Sequence, residues 1–426
     1  MKTYWLIFSL WGMVLGENAF TQKLSRRAFL GVETENKENK LLITRILPQT
    51  AAEKAGLQVG DEILTLEGIK PANQMDLAKI VRSRNPREEI SIVVRRKQQI
   101  FTLKPILEET PQENSTAYFK VLYDEFPTQD AVLRTIITSP MKTGKHPAVL
   151  FVQGVACFPI DTPFDTTYGH VQIARLLSRH NIVTMRVEKS GVGDSQGIDC
   201  EKMDWQTEIK HFSDALKILQ SYPFVDKDNI FVVGHSLGGV IAPIVAKREK
   251  AKGVVVFGTI GQNWVNYLID SRRHIALQKG EDWEDVEEWT KTVTDCSVRF
   301  FIQKQNMDSV IRQNPDCKDF LRRFAFRAPA YWHQLTEANI AQIWKEYDGF
   351  VLSLWGEQDR AALEKEHQLI AEIVNKHHPR KATFLKISRT DHRMALQNGE
   401  QREKDFNPQV AETIYEWIQK VKTGVE

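Results

Sequence analysis

The sequence predicts an α/β protein: a mainly parallel sheet interrupted by a helical insertion, preceded by a smaller unit of strands and helices. Three observations carry this expectation. From residue 116 onward, short apolar runs alternate with segments of helical periodicity, as in a sheet whose parallel strands are joined through helices. Residues 263–348 break that alternation with several pieces of helical spacing, rich in Trp, Phe, Arg and charge. Residues 108–115 (EETPQENS) are polar, contain Pro111 and read as a linker, which sets residues 24–107 apart as a separable unit.

In the larger unit, strands are expected at 119–123, 131–137, 148–152, 182–187, 229–233, 253–257, 350–354 and 383–387. Most of the later ones are continuous apolar runs, as required of strands covered on both faces. Helices are expected at 170–178, 205–220, 237–247, 362–375 and 408–420. The last opens with Asn407 as a cap and Pro408 in the first turn. In the smaller unit, strands fall at 40–47, 62–66, 90–95 and 99–103. A short helix at 51–55 stops at Gly56, and 75–82 is amphipathic at helical spacing.

Composition narrows the function. With 42% hydrophobic and 26% charged residues, the 426-residue chain is an ordinary globular sequence, long enough for two domains. Its 57 basic and 55 acidic residues leave a net charge of +2, so no global field draws in nucleic acid or an anionic membrane. Lys2 precedes an uncharged, mainly apolar stretch at 4–15, with Val14 and Gly16 near a small-residue cleavage site. Residues 1–16 therefore read as a signal peptide, and the stretch is shorter than the ~20 residues of a spanning helix. Export to the periplasm or the medium, without a permanent membrane span, is the expectation. The cysteines Cys157, Cys200, Cys296 and Cys317 show neither C-x-x-C nor zinc spacing. Three disulfide pairings and four free thiols all stay open. No H-E-x-x-H occurs, and neither a metal nor a cofactor is expected.

The strongest chemical signal is Gly234-His235-Ser236-Leu237-Gly238, a G-x-S-x-G set between an apolar strand and a helix. A serine hydroxyl is a weak nucleophile, so it needs a base, and the base needs an orienting acid. Loops after the last two strands offer both: LWGEQDR carries Asp359, with Glu357 as a rival, and ISRTDHRM carries His392. Asp391 reads as solvated and His235 as packing of the turn. With these motifs, the chain from about residue 116 to its end resembles the α/β-hydrolase superfamily. The resemblance implies a catalytic set of Ser236, Asp359 and His392, in the order that fold requires. It also implies backbone oxyanion donors at Leu237 and, in the Gln153-Gly154-Val155 loop, at Val155. Relatives often carry His-Gly there, where this chain has Gln-Gly. The loop EKSGVGDS at 188–195 departs from the family pattern at Lys189-Ser190 and reads as a structural turn. The insertion becomes a cap, with Trp264, Phe300, Phe301, Trp332 and Trp344 available to shape an acyl pocket. The implied activity is cleavage of a carboxylic ester, or another acyl substrate, through an acyl-enzyme.

The phrases FLGV, AEKAGLQVGDEILTLEG and DLAKIV, in that order, resemble a bacterial PDZ domain over nearly all of the smaller unit. Such a domain adds an extended peptide, often a protein C-terminus, to a sheet edge. The resemblance makes Phe29, Leu30, Gly31 and Val32 the peptide-binding carboxylate loop, while Leu77 and Val81 line either the groove or the core. Other readings remain: a serine peptidase fed by the PDZ-like unit, a thioesterase or acyltransferase, or an inert hydrolase fold in which only the PDZ-like unit works. On the modular reading, a chain starting near Glu113 keeps its turnover of small esters.

Overall fold

The computed structural model describes residues 24–398 and 401–424, and of residues 398 and 401–404 the backbone only. The expected signal peptide lies outside the described residues. The large sheet comprises β1 (Phe119–Pro127), β2 (Ala131–Pro140), β3 (His146–Val152), β4 (Val183–Val187), β5 (Val225–His235), β6 (Gly253–Phe257), β7 (Phe350–Gly356) and β8 (Ala382–Ile387). Their spatial order is β1-β2-β4-β3-β5-β6-β7-β8, and the short strand Gln196–Gly197 pairs with the start of β2. The β1–β2 and β2–β4 pairs and the pairing of Gln196–Gly197 with β2 are antiparallel, and the remaining pairs are parallel. Every residue of β3, β4 and β6 is buried, because helices cover both faces. Helices Gly169–Arg179 and Pro408–Thr423 pack on one face, and Trp205–Ser221 and Gly238–Arg248 on the other.

Register places the site. Val152 lies opposite Gly234, His235 opposite Phe257, Phe257 opposite Leu354, and Gly356 opposite Ile387. The carboxyl ends of five parallel strands are thus side by side, and the loops leaving them meet at one edge of the sheet. Between β6 and β7 the chain forms the cap, whose main helices include Trp264–Gln278, Trp283–Ser297, Pro329–Glu337 and Ile340–Glu346. Cys296 and Cys317 form a disulfide within it, and Cys157–Cys200 joins the loops after β3 and β4. Among the described residues no helix is long and apolar enough to cross a membrane. The strand pair Ala395–Asn398 and Gln401–Phe406, just after His392, goes beyond what the sequence reading contained.

The smaller unit is a five-stranded antiparallel sheet, running from Val32–Lys37 to Gln99–Leu103, with the helix Gln74–Arg82. Leu77 and Val81 sit in its core with Ile43 and Val94, which removes them from a groove wall. Its junction with the larger unit departs from the expected free linker. Glu108–Glu109 pair with Ala28–Phe29, and Glu113 is buried against the buried Arg186 at 2.7 Å. Arg26 is buried as well, bound to Asp194 at 2.5 Å and to Asp161 at 2.6 Å. Phe29 stacks on Phe164 with centroids 4.7 Å apart. The polar composition of 108–115 therefore encodes docking through buried ion pairs as well as solvation.

Candidate active site

β5 runs into the helix Gly238–Arg248 through a two-residue elbow that carries Ser236. Ser236 has φ +55°, a left-handed conformation that costs a side-chain-bearing residue free energy and persists only where neighbours enforce it. Here the Ser236 N–H donates to the Phe257 carbonyl at 2.9 Å, and the Ser236 carbonyl accepts from Gly239 N–H at 2.8 Å. Gly238 is required by close approach, since a β-carbon there would lie 2.2 Å from the Val152 carbonyl oxygen. The elbow leaves Ser236 at a helix N-terminus, where developing negative charge is favoured.

Asp359, three residues beyond β7, has a fully buried side chain. One carboxylate oxygen accepts the backbone N–H groups of Ala361 and Ala362 at 2.7 and 2.9 Å, and the other lies 2.9 Å from His392 Nδ1. Burial pushes the Asp359 carboxyl up, but the His392 imidazole and the two N–H groups outweigh it and hold the carboxyl below its usual range. The turn carrying His392 is built by Asp391, which accepts the N–H groups of Arg393 and Ala395 at 2.8 and 2.9 Å. Asp391 is thus a turn-former, where the sequence reading left it to solvent. The His392 carbonyl is 2.7 Å from His235 Nε2. A carbonyl only accepts, so His235 carries its proton on Nε2, and burial holds its pKa at about 4. His235 therefore positions the His392 backbone. The rival acid Glu357 is exposed and accepts the Arg389 N–H at 3.1 Å.

Ser236, Leu237, Val155 and His392 line one cavity of about 450 Å³, walled by Trp264, Phe324, Phe326 and Trp332. Asp359 stands behind His392. Among the described residues neither the Leu237 nor the Val155 N–H is spent on a backbone acceptor. Two buried cations hold the Val155 loop: Lys189 Nζ donates to the Gly154 carbonyl at 2.5 Å and Arg327 Nη1 to the Val155 carbonyl at 3.0 Å. Both pair with the buried Glu208, at 2.8 and 2.7 Å. Burial, reinforced by Arg327 and opposed by Glu208, draws Lys189 down to about 8. These three residues are what sequence reasoning missed. Lys189 was visible as a departure from the family pattern and passed for a simple turn. Glu208 and Arg327 are 119 positions apart and carry no local signal. Of the cap aromatics, Trp264 and Trp332 reach the cavity, whereas Phe300, Phe301 and Trp344 are fully buried in the core that the cap shares with the sheet and its helices.

The expected carboxylate loop of the smaller unit is not brought to an open surface as Ser236 and His392 are. Leu30 is buried, Gly31 has φ +93°, and the carbonyls of both accept N–H groups, from Ala52 and Leu47 at 2.8 and 3.0 Å. Phe29 faces the catalytic unit. A cleft of about 1,090 Å³ opens instead between the helix Gln74–Arg82, through Met75, Ala78, Lys79 and Arg82, and loops of the larger unit at Phe158, Gly191 and Glu201. None of residues 29–32 lines it.

An α/β sheet in this strand order, with a serine at a strand-to-helix elbow and a histidine–aspartate pair on adjacent loops, defines the class of protein. The chain belongs to the alpha/beta hydrolase family, whose sequence model matches residues 149–404, and a PDZ domain model matches residues 28–105. Among curated proteins it is similar to Esterase EstD of Thermotoga maritima, 28% identical over 235 residues, which are 55% of this chain and 51% of the esterase. The chain thus spans about half the length of that relative. Serine endoprotease DegS of Haemophilus influenzae is 27% identical over 88 residues, 20% of this chain and 26% of the protease. Among solved structures, Est1E from Butyrivibrio proteoclasticus with bound ferulic acid matches with a TM-score of 0.46 and 14% identity, over 70% of this chain and 99% of that one.

Proposed function

We propose that this chain is an exported serine hydrolase that cleaves a carboxylic ester through Ser236, His392 and Asp359. The observation that carries the reading is the 2.9 Å contact of His392 Nδ1 with a buried Asp359 carboxylate, with His392 lining the same cavity as Ser236. His392 Nε2 takes the proton as Ser236 Oγ attacks the ester carbonyl, and Asp359 keeps the imidazole in the required tautomer. The N–H groups of Leu237 and Val155 stabilise the oxyanion. His392 then returns the proton to the departing alcohol, and a water molecule, activated in the same way, releases the acyl group from Ser236. A cavity of about 450 Å³ under an aromatic cap suits a small ester better than a peptide segment. Two disulfides support export to an oxidising compartment. The PDZ unit supplies peptide binding, presented at the cleft beside its helix Gln74–Arg82.

Hydrolysis of 4-nitrophenyl esters of graded chain length tests the reading. Ser236→Ala is expected to lower turnover on the order of 10⁴-fold while folding normally. A Ser236→Ala protein that loses only about tenfold in turnover removes Ser236 as the nucleophile.

A further inference from the structure

Three arginines from three separate segments converge on the Ser236 cavity: Arg272 on the first cap helix, Arg323 on a later cap turn, and Arg360 beside the acid Asp359. No Asp or Glu lines that cavity. The neighbours of these arginines in sequence are paired, Arg273 with Glu287 at 3.4 Å and Arg322 with Asp308 at 2.9 Å. Arg272, Arg323 and Arg360 form no ion pair with an acid among the described residues. Arg272 is half-buried, and burial lowers its pKa first, the facing charge of Arg323 second. Arg323 and Arg360 are exposed and solvated, whereas the half-buried Arg272 lies beside a like charge that a bound anion would offset. A guanidinium also matches a carboxylate or phosphate through two parallel N–H donors. The rest of the wall, Trp264, Phe324, Phe326 and Trp332, is aromatic.

We propose that the substrate is an anionic ester, an apolar or aromatic body bearing a carboxylate or phosphate group that Arg272 and Arg323 bind, with Arg360 lining the same cavity. This deepens the proposed function and rests on Ser236 as the nucleophile. The binding step, however, is measurable without turnover. The full chain carrying Ser236→Ala is titrated calorimetrically with 4-phenylbutyrate, phenyl phosphate and the neutral 4-phenylbutanamide. At least one anion is expected to bind about tenfold or more tightly than the amide, with the preference weakening in salt. A carboxylate preference assigns a carboxylate-bearing ester and a phosphate preference a phosphate-bearing one. Adding Arg272→Gln and Arg323→Gln is expected to abolish the preference, and Arg272→Lys with Arg323→Lys, which keeps the charge without the planar fork, to retain part of it. The Lys pair also decides the matter if the Gln pair does not fold. Equal or tighter binding of the amide, or a preference that survives removal of both arginines, overturns the proposal. Anion binding by a wild-type chain that cleaves no ester refutes the esterase reading and leaves the anion site standing.

Discussion

Asp359 and Glu357 lie two residues apart on one loop, yet the structure gives them opposite surroundings. Asp359 is buried, accepts two backbone N–H groups and meets His392, whereas Glu357 is exposed and caps Arg389. Asp359→Asn is therefore expected to lower kcat on the order of 10³–10⁴-fold with the fold intact, because the imidazole loses its orienting acceptor. Glu357→Gln is expected to stay within about twofold of wild type, as is usual for an exposed side chain. Steady-state kinetics on one ester separates the two, and the reverse outcome moves the acid to Glu357. At this scale Ser236, Asp359 and His392 were legible because each follows an apolar strand, and the fold delivers such loops to one sheet edge. Residues 29–32 were legible as a motif but not as a surface, since their environment depends on Phe164, 135 positions after Phe29.

The loop holding Val155 illustrates what elements contribute beyond motifs. Its two carbonyls are fixed by Lys189 from the loop after β4 and by Arg327 from the cap, both paired with the single carboxylate of Glu208 on the helix Trp205–Ser221. With the carbonyls pulled toward buried cations, the Val155 N–H has no backbone acceptor, as the proposed oxyanion role requires. Arg327→Met is expected to reduce kcat about 10²-fold, the scale of losing one oxyanion donor, with a smaller change in KM. Leaving Glu208 with one fewer partner also destabilises the fold, by about 3–5 kcal/mol where a buried pair is broken. Adding Glu208→Gln to Arg327→Met leaves the buried Lys189 without its acid and should cost further stability without recovering kcat. Denaturant titration and kinetics on both variants check this, and an Arg327→Met kcat within about twofold of wild type removes the positioning role. Strand and helix positions were largely readable from apolar runs and periodicity. The Ala395–Asn398 and Gln401–Phe406 strands were not, because Gln401–Phe406 (QREKDF) lacks the apolar run that marks the other strands.

On the scale of the whole molecule, the two units are joined by charge. Arg26 binds Asp161 and Asp194, and Asp194 also meets Arg134 at 3.2 Å and gives its N–H to Glu188 at 2.6 Å. Arg26→Met leaves buried carboxylates short of a partner and is expected to cost about 3–5 kcal/mol in urea unfolding, against near-zero for a solvated junction. The sequence favoured the solvated junction because EETPQENS has the composition of a linker, and composition does not reveal that Glu113 is turned inward to Arg186. Burial first, then Asp161 and Asp194, raises Glu188 to about 7 from an ordinary 4.5. Between those values the folded chain holds a proton that the unfolded chain has released, so stability falls as pH rises from about 4.5 to about 7. The loss is at most about 3 kcal/mol, and Glu188→Gln should flatten it. Equal slopes for the two proteins over that range would remove Glu188 as the source. Whether Ser236 is an activated nucleophile served by His392 is read out by intact-protein and peptide mass spectrometry after reaction with a fluorophosphonate. A single adduct on Ser236 is expected in the wild-type chain, formed far more slowly in His392→Ala and absent in Ser236→Ala. An unmodified wild-type chain, or an adduct on any other residue, would contradict it.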